Sequence, residues 1–473
     1  MKFPRCGLCV ELGRTVSRAL SGVHTQVSSV TSRTFNGRIL REGLWVTVGQ
    51  LLSALAALLA IRVLTGLLSP AEYGELALLL GVAALALGFA VRPVLQGVMR
   101  YFPDWSRKGH VGRLRVVGLR MTRRSVIATA MVVIVVAGVT DQIHGLGMAA
   151  GILIAGLLAV DAARIFEISM FNSARRQRPT AFLYAADAVA RPVGAIAGIA
   201  LLGASAAGAA AGYIAASVCV LVILYAATTP EGGGCNSKGF DGPLSDPDAE
   251  ALRIAILRYA KPLPPLAVCA WVSGVGDRYL LGSLLDLHAV GFYAAAYGLV
   301  SRPFLMLSSM IELTLRPILQ DAVAKGDAPR ADRAKRAWIC CSVVGTFSGA
   351  VLFALLSDPI AELLLSETYW EAAVLMPWIA SGAALYSISL VYSRFCYVYN
   401  DTKSVLMIDF VGATASVALM VPAITWYGLI GAAVAVPFYF GIQLLMSMML
   451  ARRAERVFET DSFSMANRLG TAQ

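Results

Sequence analysis

The sequence is poor in charge and in the side chains that most enzymes use for chemistry. Only 15% of its 473 residues are charged, and four are histidines. It has no Gly-x-x-x-x-Gly-Lys phosphate loop, which argues against ATP hydrolysis. Asp246-Pro247-Asp248 matches the Asp-x-Asp pattern of metal-dependent glycosyltransferases, but the polar segment around it, residues 228–259, is too short for a catalytic domain. These absences argue against an enzyme.

The cysteine pattern predicts neither disulfides nor a metal site. The chain has eight cysteines. Cys6-x-x-Cys9 has no second pair to complete a zinc site, and the spacing of the remaining cysteines implies no disulfide framework. We therefore predict free thiols, no metal and no cofactor.

The sequence is rich in long apolar stretches, and 58% of its residues are hydrophobic. A helix needs roughly 20 apolar residues to cross about 30 Å of hydrocarbon. Twelve stretches meet this requirement: 44–66, 74–94, 124–143, 145–168, 180–203, 206–227, 260–284, 289–312, 337–357, 371–398, 404–426 and 428–451. The sequence therefore predicts an all-α polytopic membrane protein with about twelve transmembrane helices.

The basic residues lie at alternate ends of these spans. The even-numbered connections and both tails contain Lys and Arg, whereas the odd-numbered connections contain none. By the positive-inside rule, both termini are expected on the cytoplasmic side of a bacterial inner membrane. The net charge of +11 is then explained by topology and by contacts with anionic membrane lipids, with no need for nucleic acid as a partner.

A change in composition divides the chain into two halves. Gly, Pro, Asp and Ser dominate from Thr228 to about Arg253, which indicates a linker. The predicted organisation is a cytoplasmic tail (1–43), a six-helix bundle (44–227), a cytoplasmic linker (228–259), a second six-helix bundle (260–451) and a cytoplasmic tail (452–473). The first tail lacks the apolar core of a cleavable signal peptide.

A short repeat relates the two halves. Residues 67–74 can be laid over residues 284–291, and Arg278 then falls one position from the match to Arg62. In both copies a polar turn separates two apolar runs. The repeat predicts two related bundles that each present a cation to a shared space.

Several stretches, taken in order, resemble a known family. They are Arg62 with Leu68-Ser69-Pro70-Ala71-Glu72-Tyr73-Gly74, Asp277-Arg278 with Val290 to Tyr297, Arg316-Pro317, Leu364-Leu365-Ser366 with Tyr369, and Gly428 to Ala433. Together they resemble the polysaccharide-transporter branch of the multidrug/oligosaccharidyl-lipid/polysaccharide (MOP) flippase superfamily, which includes the O-antigen flippases. The likeness covers about residues 40 to 450.

The resemblance implies two pseudo-symmetric six-helix bundles around a central cavity that opens to one side at a time. It also implies export of undecaprenyl-diphosphate-linked oligosaccharide units across the inner membrane for O-antigen, capsule or exopolysaccharide synthesis. A polysaccharide polymerase and other glycan-assembly proteins would then be partners. Two alternatives lie in the same superfamily: a cation-coupled multidrug exporter, and a lipid II flippase, whose branch typically has two further helices.

Arginines inside the predicted spans are the candidate substrate site. An ionisable residue at the centre of a membrane helix costs about 2.5 to 3.5 kcal/mol, so it needs a partner, water or a route to the headgroups. Four arginines are predicted to line a cationic cavity for the diphosphate: Arg62, Arg92, Arg278 and Arg302. Guanidinium suits this role because it stays charged when buried and binds phosphate bidentately. For Arg62 and Arg92, which lie near span ends, snorkelling to the headgroups is an open alternative.

Carboxylates inside the spans are candidates for proton or Na⁺ coupling. They are Asp161, Asp187, Asp277 and Asp409. The alternative is charge pairing, which we favour for Asp161 with Arg164 and for Asp187 with Arg191 because they are three and four residues apart on a helix. Asp409 has no partner in sequence and is therefore the better coupling candidate.

Overall fold

The structure is a computed structural model that describes residues 53–144, 147–174, 176–228, 247–399 and 401–470. Within these ranges every regular element is a helix. The predictions for residues 1–43, for the beginning of the first span and for residues 229–246 of the linker lie outside the described residues.

Twelve α-helices and one 3₁₀ helix occupy the described ranges, and six of the α-helices lie before the linker. These six are α1 (Ser53–Leu67), α2 (Pro70–Arg107), α3 (Val111–His144), α4 (Met148–Ser173), α5 (Gln177–Leu202) and α6 (Ala206–Thr228). The linker contributes α7 (Pro247–Ala260). The second half contains α8 (Pro264–Leu284), α9 (Leu287–Ala324), α10 (Ala328–Leu364), a 3₁₀ helix (Glu367–Leu375), α11 (Met376–Val398) and α12 (Thr402–Gly470).

The last helix is a hairpin of two membrane spans. Gly428 has φ 58° and ψ −139°, a conformation that an L side chain would strain, and the chain reverses there. The two arms then pack together, since a Cβ added to Gly412 would lie 2.6 Å from the Gln443 side chain. The reversal separates the predicted spans 404–426 and 428–451.

The twelve-span prediction agrees with the helices observed. Nine of the described helices are long and apolar enough to cross a membrane by length and composition. Counting the two arms of α12 separately, and adding α1 and α8, gives twelve. The prediction of an all-α polytopic membrane fold is therefore confirmed.

The sequence repeat forms two matching helix starts. Ser69 caps α2 by accepting a hydrogen bond from the backbone N–H of Glu72, and Asp286 caps α9 by accepting one from Ala289. Such caps satisfy backbone donors that the first turn of a helix leaves free. Both turns lie at the end of the molecule that we call the hairpin end, and the Lys- and Arg-rich connections lie at the opposite, basic end.

The two copies of the repeat meet at the hairpin end. A Cβ added to Gly74 would lie 2.2 Å from the carbonyl oxygen of Leu287, and one added to Gly291 would lie 1.9 Å from the carbonyl oxygen of Pro70. Real side-chain carbons cannot approach so closely, so glycine at both positions allows α2 and α9 to cross in backbone contact. The halves are therefore closed against each other at this end.

Hydrogen bonds reinforce this closure. The Ser366 hydroxyl donates to the carbonyl oxygen of Thr65 at 2.6 Å, and the Tyr369 hydroxyl donates to that of Leu68 at 3.1 Å. Both bonds join the turn after α10 to the end of α1. Tyr369 is fully buried, so water cannot replace its bond.

We expect Tyr369→Phe to lower the free energy of unfolding by about 1 to 2 kcal/mol, because the buried Leu68 carbonyl loses a donor. Thermal unfolding of the purified protein in detergent measures the change. Tyr427→Phe is the matched control, since Tyr427 is 73% exposed. Equal melting temperatures for the two variants would show that the Tyr369 bond does not stabilise the closure.

The second part of the linker is folded onto the first bundle. Residues 247–260 form α7, whose Leu252 and Ile256 are buried. They pack with α2 and α3 in one apolar cluster, and a Cβ added to Gly97 of α2 would lie 2.8 Å from Ile256. The sequence predicted a solvated segment up to about Arg253. In the structure, the residues of that segment from Pro247 onward belong to an amphipathic helix. The apolar residues at Leu252 and Ile256, four apart, are the reason.

Candidate functional site

Arg278 lies on α8 where that helix faces the first bundle. Its guanidinium carbon stands 5.2 Å from the centre of the Tyr297 ring. Its Nε is buried and has no hydrogen-bond partner in the described part of the chain. The cation is therefore stabilised by an aromatic face and keeps an unused donor.

Arg302 approaches the same region from α9. Its side chain is exposed. Its charge, like that of Arg278, acts electrostatically on the hydroxyl of Tyr73 in α2, and it also acts on Tyr213 in α6. Two of the four predicted arginines, both from the second half, are thus close enough to Tyr73 of the first half to act on it electrostatically.

Arg62 lies on α1 beside the junction of the two halves. The preceding residue, Ile61, packs on α9, where a Cβ added to Gly298 would lie 3.4 Å from its Cδ1. Nη1 of Arg62 is buried and, among the residues that the structure describes, makes no hydrogen bond. The side chain is half-buried with one unsatisfied donor, so its place in a substrate cavity and its snorkelling to the headgroups both stay predictions.

Arg92 is separate from the other three arginines. It follows a π-helical turn, Leu87–Val91, and precedes Pro93, which lacks the backbone donor of a regular helix. Its side chain lines a cavity of about 230 Å³ between α2, α8, α11 and α12. We call this space the basic-end cavity. It is lined by Gly88, Arg92, Pro93, Gln96, Leu263, Leu266, Ala267, Ala270, Tyr386, Leu390, Ser393, Arg394, Tyr397, Val405 and Asp409.

Asp161 and Asp187 lie in a closed ion-pair network between α4 and α5. Arg164 contacts Asp161 at 3.1 Å and Asp187 at 3.0 Å, while Arg191 contacts Asp187 at 3.2 Å and also pairs with Asp161. The pairs anticipated from helical spacing are therefore present and joined into one network. Two carboxylates and two guanidiniums neutralise each other, which leaves little free charge for an ion.

Asp277 is buried beside Arg278 but uses other partners. One carboxylate oxygen accepts a hydrogen bond from the Tyr293 hydroxyl at 2.8 Å, and the other accepts the backbone N–H of Arg278 at 2.8 Å. Only 4% of Asp277 is exposed. In the described ranges no three His, Cys, Asp or Glu residues come together as metal ligands.

Asp409 lines the basic-end cavity together with Arg92 and Arg394. Its carboxylate accepts a hydrogen bond from Nε2 of Gln443 at 3.3 Å, across the α12 hairpin. The charge of Arg394 also acts on it. Among the four carboxylates singled out in the sequence, Asp409 is the one that lines this cavity.

Arg394 is a charged cavity residue that sequence analysis overlooked. Its Nε donates to Glu312 of α9 at 3.0 Å, and Glu312 also accepts from Nη1 of Arg316 at 2.9 Å. The available signal was a lone Arg deep in the predicted span 371–398. Its partner is 82 residues away, so no local spacing indicates the pair.

A second overlooked pair ties the first bundle together near its basic end. Glu167 of α4 is 3% exposed, and both of its oxygens accept hydrogen bonds from Arg115 of α3, at 2.9 and 2.5 Å. The Tyr225 hydroxyl of α6 donates to the same carboxylate at 3.0 Å. Three helices thus converge on one buried carboxylate.

Comparison with known protein families gives one match over most of the chain. The family described as "Polysaccharide biosynthesis protein" matches residues 39–323. No curated protein sequence is similar enough to count as a relative.

Several solved structures share the architecture. An inward-facing multidrug resistance MATE family transporter of the MOP superfamily superposes with a TM-score of 0.66 at 15% identity, covering 89% of this chain and 98% of the other. The lipid II flippase MurJ in an inward closed conformation gives 0.60 at 14% identity, with 92% and 93% covered. A MOP superfamily transporter from Pyrococcus furiosus, described as having a binding pocket of reversed polarity, gives 0.61 at 12% identity, with 88% and 96% covered. At these identities the likeness concerns the fold.

Proposed function

Because the chain belongs to the polysaccharide biosynthesis protein family, within the MOP transporter superfamily, we propose that it is a flippase for lipid-linked oligosaccharides. The proposed substrate is an undecaprenyl-diphosphate-linked oligosaccharide unit. The surface polysaccharide assembled from these units is O-antigen, capsule or exopolysaccharide. The polar head would cross between the two bundles while the lipid tail stays in the bilayer. A polysaccharide polymerase and other glycan-assembly proteins are the proposed partners.

The observation that supports this proposal is a group of arginines near the bundle interface whose guanidinium donors are not all satisfied. Arg62 and Arg278 each have a buried donor without a partner among the described residues, and Arg302 is exposed in the same region. Buried donors are normally satisfied, so unsatisfied guanidinium groups favour an anionic ligand that completes them. A diphosphate supplies several acceptor oxygens and two or more negative charges.

The direction of transport follows from the proposed topology. We assign the basic end to the cytoplasm and the hairpin end to the outer face of a bacterial inner membrane. A closed hairpin end, as observed, would leave the molecule able to receive substrate from the cytoplasmic side. An interior-negative potential then contributes about 2.3 kcal/mol per charge per 100 mV toward moving an anion outward.

The alternative functions differ in the ligand charge they require. A cation-coupled multidrug exporter needs a site that attracts cationic drugs, whereas Arg62, Arg278 and Arg302 would repel them. A lipid II flippase also carries a diphosphate lipid, so the arginines would serve it equally. Drug susceptibility and lipid II transport in a deletion strain distinguish these alternatives from surface-glycan export.

We expect Arg302→Ala to reduce surface polysaccharide at least tenfold in a deletion strain that produces normal amounts of protein. A charge-assisted hydrogen bond contributes about 1.5 to 3 kcal/mol, which is about ten- to a hundredfold in binding. Arg302→Lys should retain part of the activity, because it keeps the charge but loses bidentate geometry. Immunoblotting of surface glycan, together with lipid-linked oligosaccharide on the cytoplasmic face, measures the effect.

The control for this experiment is Arg336→Ala, which removes an exposed arginine of α10 at the basic end. It should leave surface glycan unchanged. If Arg302→Ala and Arg336→Ala complement the deletion equally well, Arg302 has no role in binding the substrate. If the deletion itself leaves surface glycan intact, the proposed function is wrong.

A further inference from the structure

We propose that the basic-end cavity is a second anion site, which takes the diphosphate headgroup of the lipid-linked substrate before that headgroup reaches Arg278 and Arg302. This inference rests on the proposed function for the identity of the ligand. The site itself rests on the side chains that line the cavity, of which Arg394 was not among the candidates from sequence.

The two cations of the cavity come from opposite halves of the protein. Arg92 belongs to α2 of the first half, and Arg394 belongs to α11 of the second. A diphosphate has two phosphoryl groups, so it can accept hydrogen bonds from both guanidiniums at once. A ligand bound this way bridges the halves at the end where the glycine contact of α2 and α9 is absent.

Arg394 is oriented toward the cavity by Glu312. The carboxylate of Glu312 accepts the Nε hydrogen of Arg394 at 3.0 Å and an Nη1 hydrogen of Arg316 at 2.9 Å. Within the described part of the chain, the Nη1 and Nη2 groups of Arg394 make no hydrogen bond. Glu312 therefore holds one edge of the guanidinium and leaves the edge that forms bidentate phosphate contacts available.

Asp409 provides the opposing charge in the cavity. Its carboxylate lies outside ion-pair distance of Arg394, yet the two charges interact. An anion that binds Arg394 is repelled by Asp409 and competes with it for the cation. Removal of the Asp409 charge should consequently strengthen anion binding, whereas removal of Arg394 should weaken it.

The dimensions and depth of the cavity suit a lipid headgroup. Its volume of about 230 Å³ is below the roughly 300 to 1,000 Å³ of pockets that enclose drug-sized ligands, so it suits a phosphate group and not an oligosaccharide. Arg92 lies about 33 Å along α2 from Pro70, from 22 residues at about 1.5 Å each. Because the hydrocarbon layer is about 30 Å thick, Arg92 lies near the headgroups at the basic end.

The cavity is distinct from the region around Arg278. On α8, the cavity residue nearest in sequence to Arg278 is Ala270, which precedes it by eight residues, or about 12 Å. Between them, Nε1 of Trp271 donates to the carbonyl oxygen of Gly81 at 2.8 Å and ties α8 to α2. A diphosphate group is shorter than this distance along the helix, so the two regions would be occupied in succession.

The test is equilibrium binding to purified full-length protein in nanodiscs of neutral phosphatidylcholine. The probes are farnesyl diphosphate and inorganic pyrophosphate, and phosphatidylglycerol is a competing lipid phosphate. We expect Arg394→Ala to weaken farnesyl diphosphate binding at least tenfold and Asp409→Asn to tighten it severalfold. Arg336→Ala should bind like the wild type. Opposite effects of two variants cannot come from misfolding, and thermal unfolding of each variant checks this directly.

The proposal is overturned if Arg394→Ala and Asp409→Asn bind farnesyl diphosphate like the wild type. It is also overturned if phosphatidylglycerol competes as well as the diphosphate, because the cavity would then be an ordinary lipid-phosphate site. Either result is separate from the proposed function, which fails only if the deletion strain assembles surface glycan normally. Equal binding of pyrophosphate and farnesyl diphosphate would support the assignment to the diphosphate group.

Discussion

Gly291→Ala is expected to abolish transport by forcing apart the two copies of the repeat at the hairpin end. The new Cβ would lie 1.9 Å from the carbonyl oxygen of Pro70 and 2.6 Å from its carbonyl carbon. Backbone atoms cannot rotate away as a side chain can, so α2 and α9 must separate. A protein that cannot close this end cannot keep its cavity open to one side at a time. Surface glycan in a complemented deletion strain should fall close to the level of the empty vector.

Gly274→Ala is the matched control for this prediction. Gly274 is also in a helix of the second half, but an added Cβ there meets nothing within 4 Å. Alanine is favoured over glycine in a helix by roughly 0.5 to 1 kcal/mol, so this variant should be neutral or slightly more stable.

Accessibility of the hairpin end provides the structural measurement. A cysteine placed at Tyr73, in a background without the eight native cysteines, should react faster with a membrane-impermeant maleimide in Gly291→Ala than in Gly274→Ala. If both glycine variants label at the same rate and support equal glycan, the α2–α9 contact is not the closure that transport requires.

Arg115→Met is expected to destabilise the first bundle by about 3 to 5 kcal/mol. The substitution keeps an unbranched stem but leaves the Glu167 carboxylate buried without its cation. A buried charge that loses its partner costs more than the pair contributed. Thermal unfolding in detergent, or steric trapping for a free energy, measures the loss. Tyr225 would still donate one hydrogen bond, which is weaker than the bidentate pair.

The double variant Arg115→Met/Glu167→Leu checks the physical cause. Replacing a buried ion pair by apolar side chains of similar volume is often close to neutral, so most of the lost stability should return. About 1 kcal/mol should remain lost, because the hydrogen bond from the Tyr225 hydroxyl to Glu167 is removed. A double variant as unstable as Arg115→Met would mean that packing around Arg115, and not the unpaired charge, explains the effect.

The four carboxylates considered for coupling occupy different environments. Asp161 and Asp187 each contact two arginines, and Asp277 is enclosed by Tyr293 and a backbone donor. Asp409 lines a cavity beside Arg394. We therefore propose Asp409 as the residue through which an ion would affect substrate binding. Glycan export by Asp409→Asn, compared under imposed proton and Na⁺ gradients, tests that role.

Membrane spans, polar turns and the repeat could be predicted from the sequence because they are local properties. The length of an apolar run decides whether a helix can cross the bilayer, whatever its neighbours are. Ser69 and Asp286 follow apolar runs and cap the next helices, so the two matching turns can be recognised from the sequence alone. Pairs within one helix, such as Asp187 with Arg191, follow from the spacing of four residues.

Pairings between helices depend on rotation and register, which the order of residues does not reveal. Glu167 lies three residues after Arg164 yet pairs with Arg115, 52 positions away, because α3 packs against its side of α4. Arg92 and Arg394 share a cavity only because two halves of the chain pack face to face. The hairpin of Arg62 and its repeat at Arg278 could be recognised as symmetric. The tertiary structure alone shows that Gly74 and Gly291 bring α2 and α9 into contact and close one end of the molecule. Such a backbone contact depends on how the two helices pack, and the sequence does not reveal that packing.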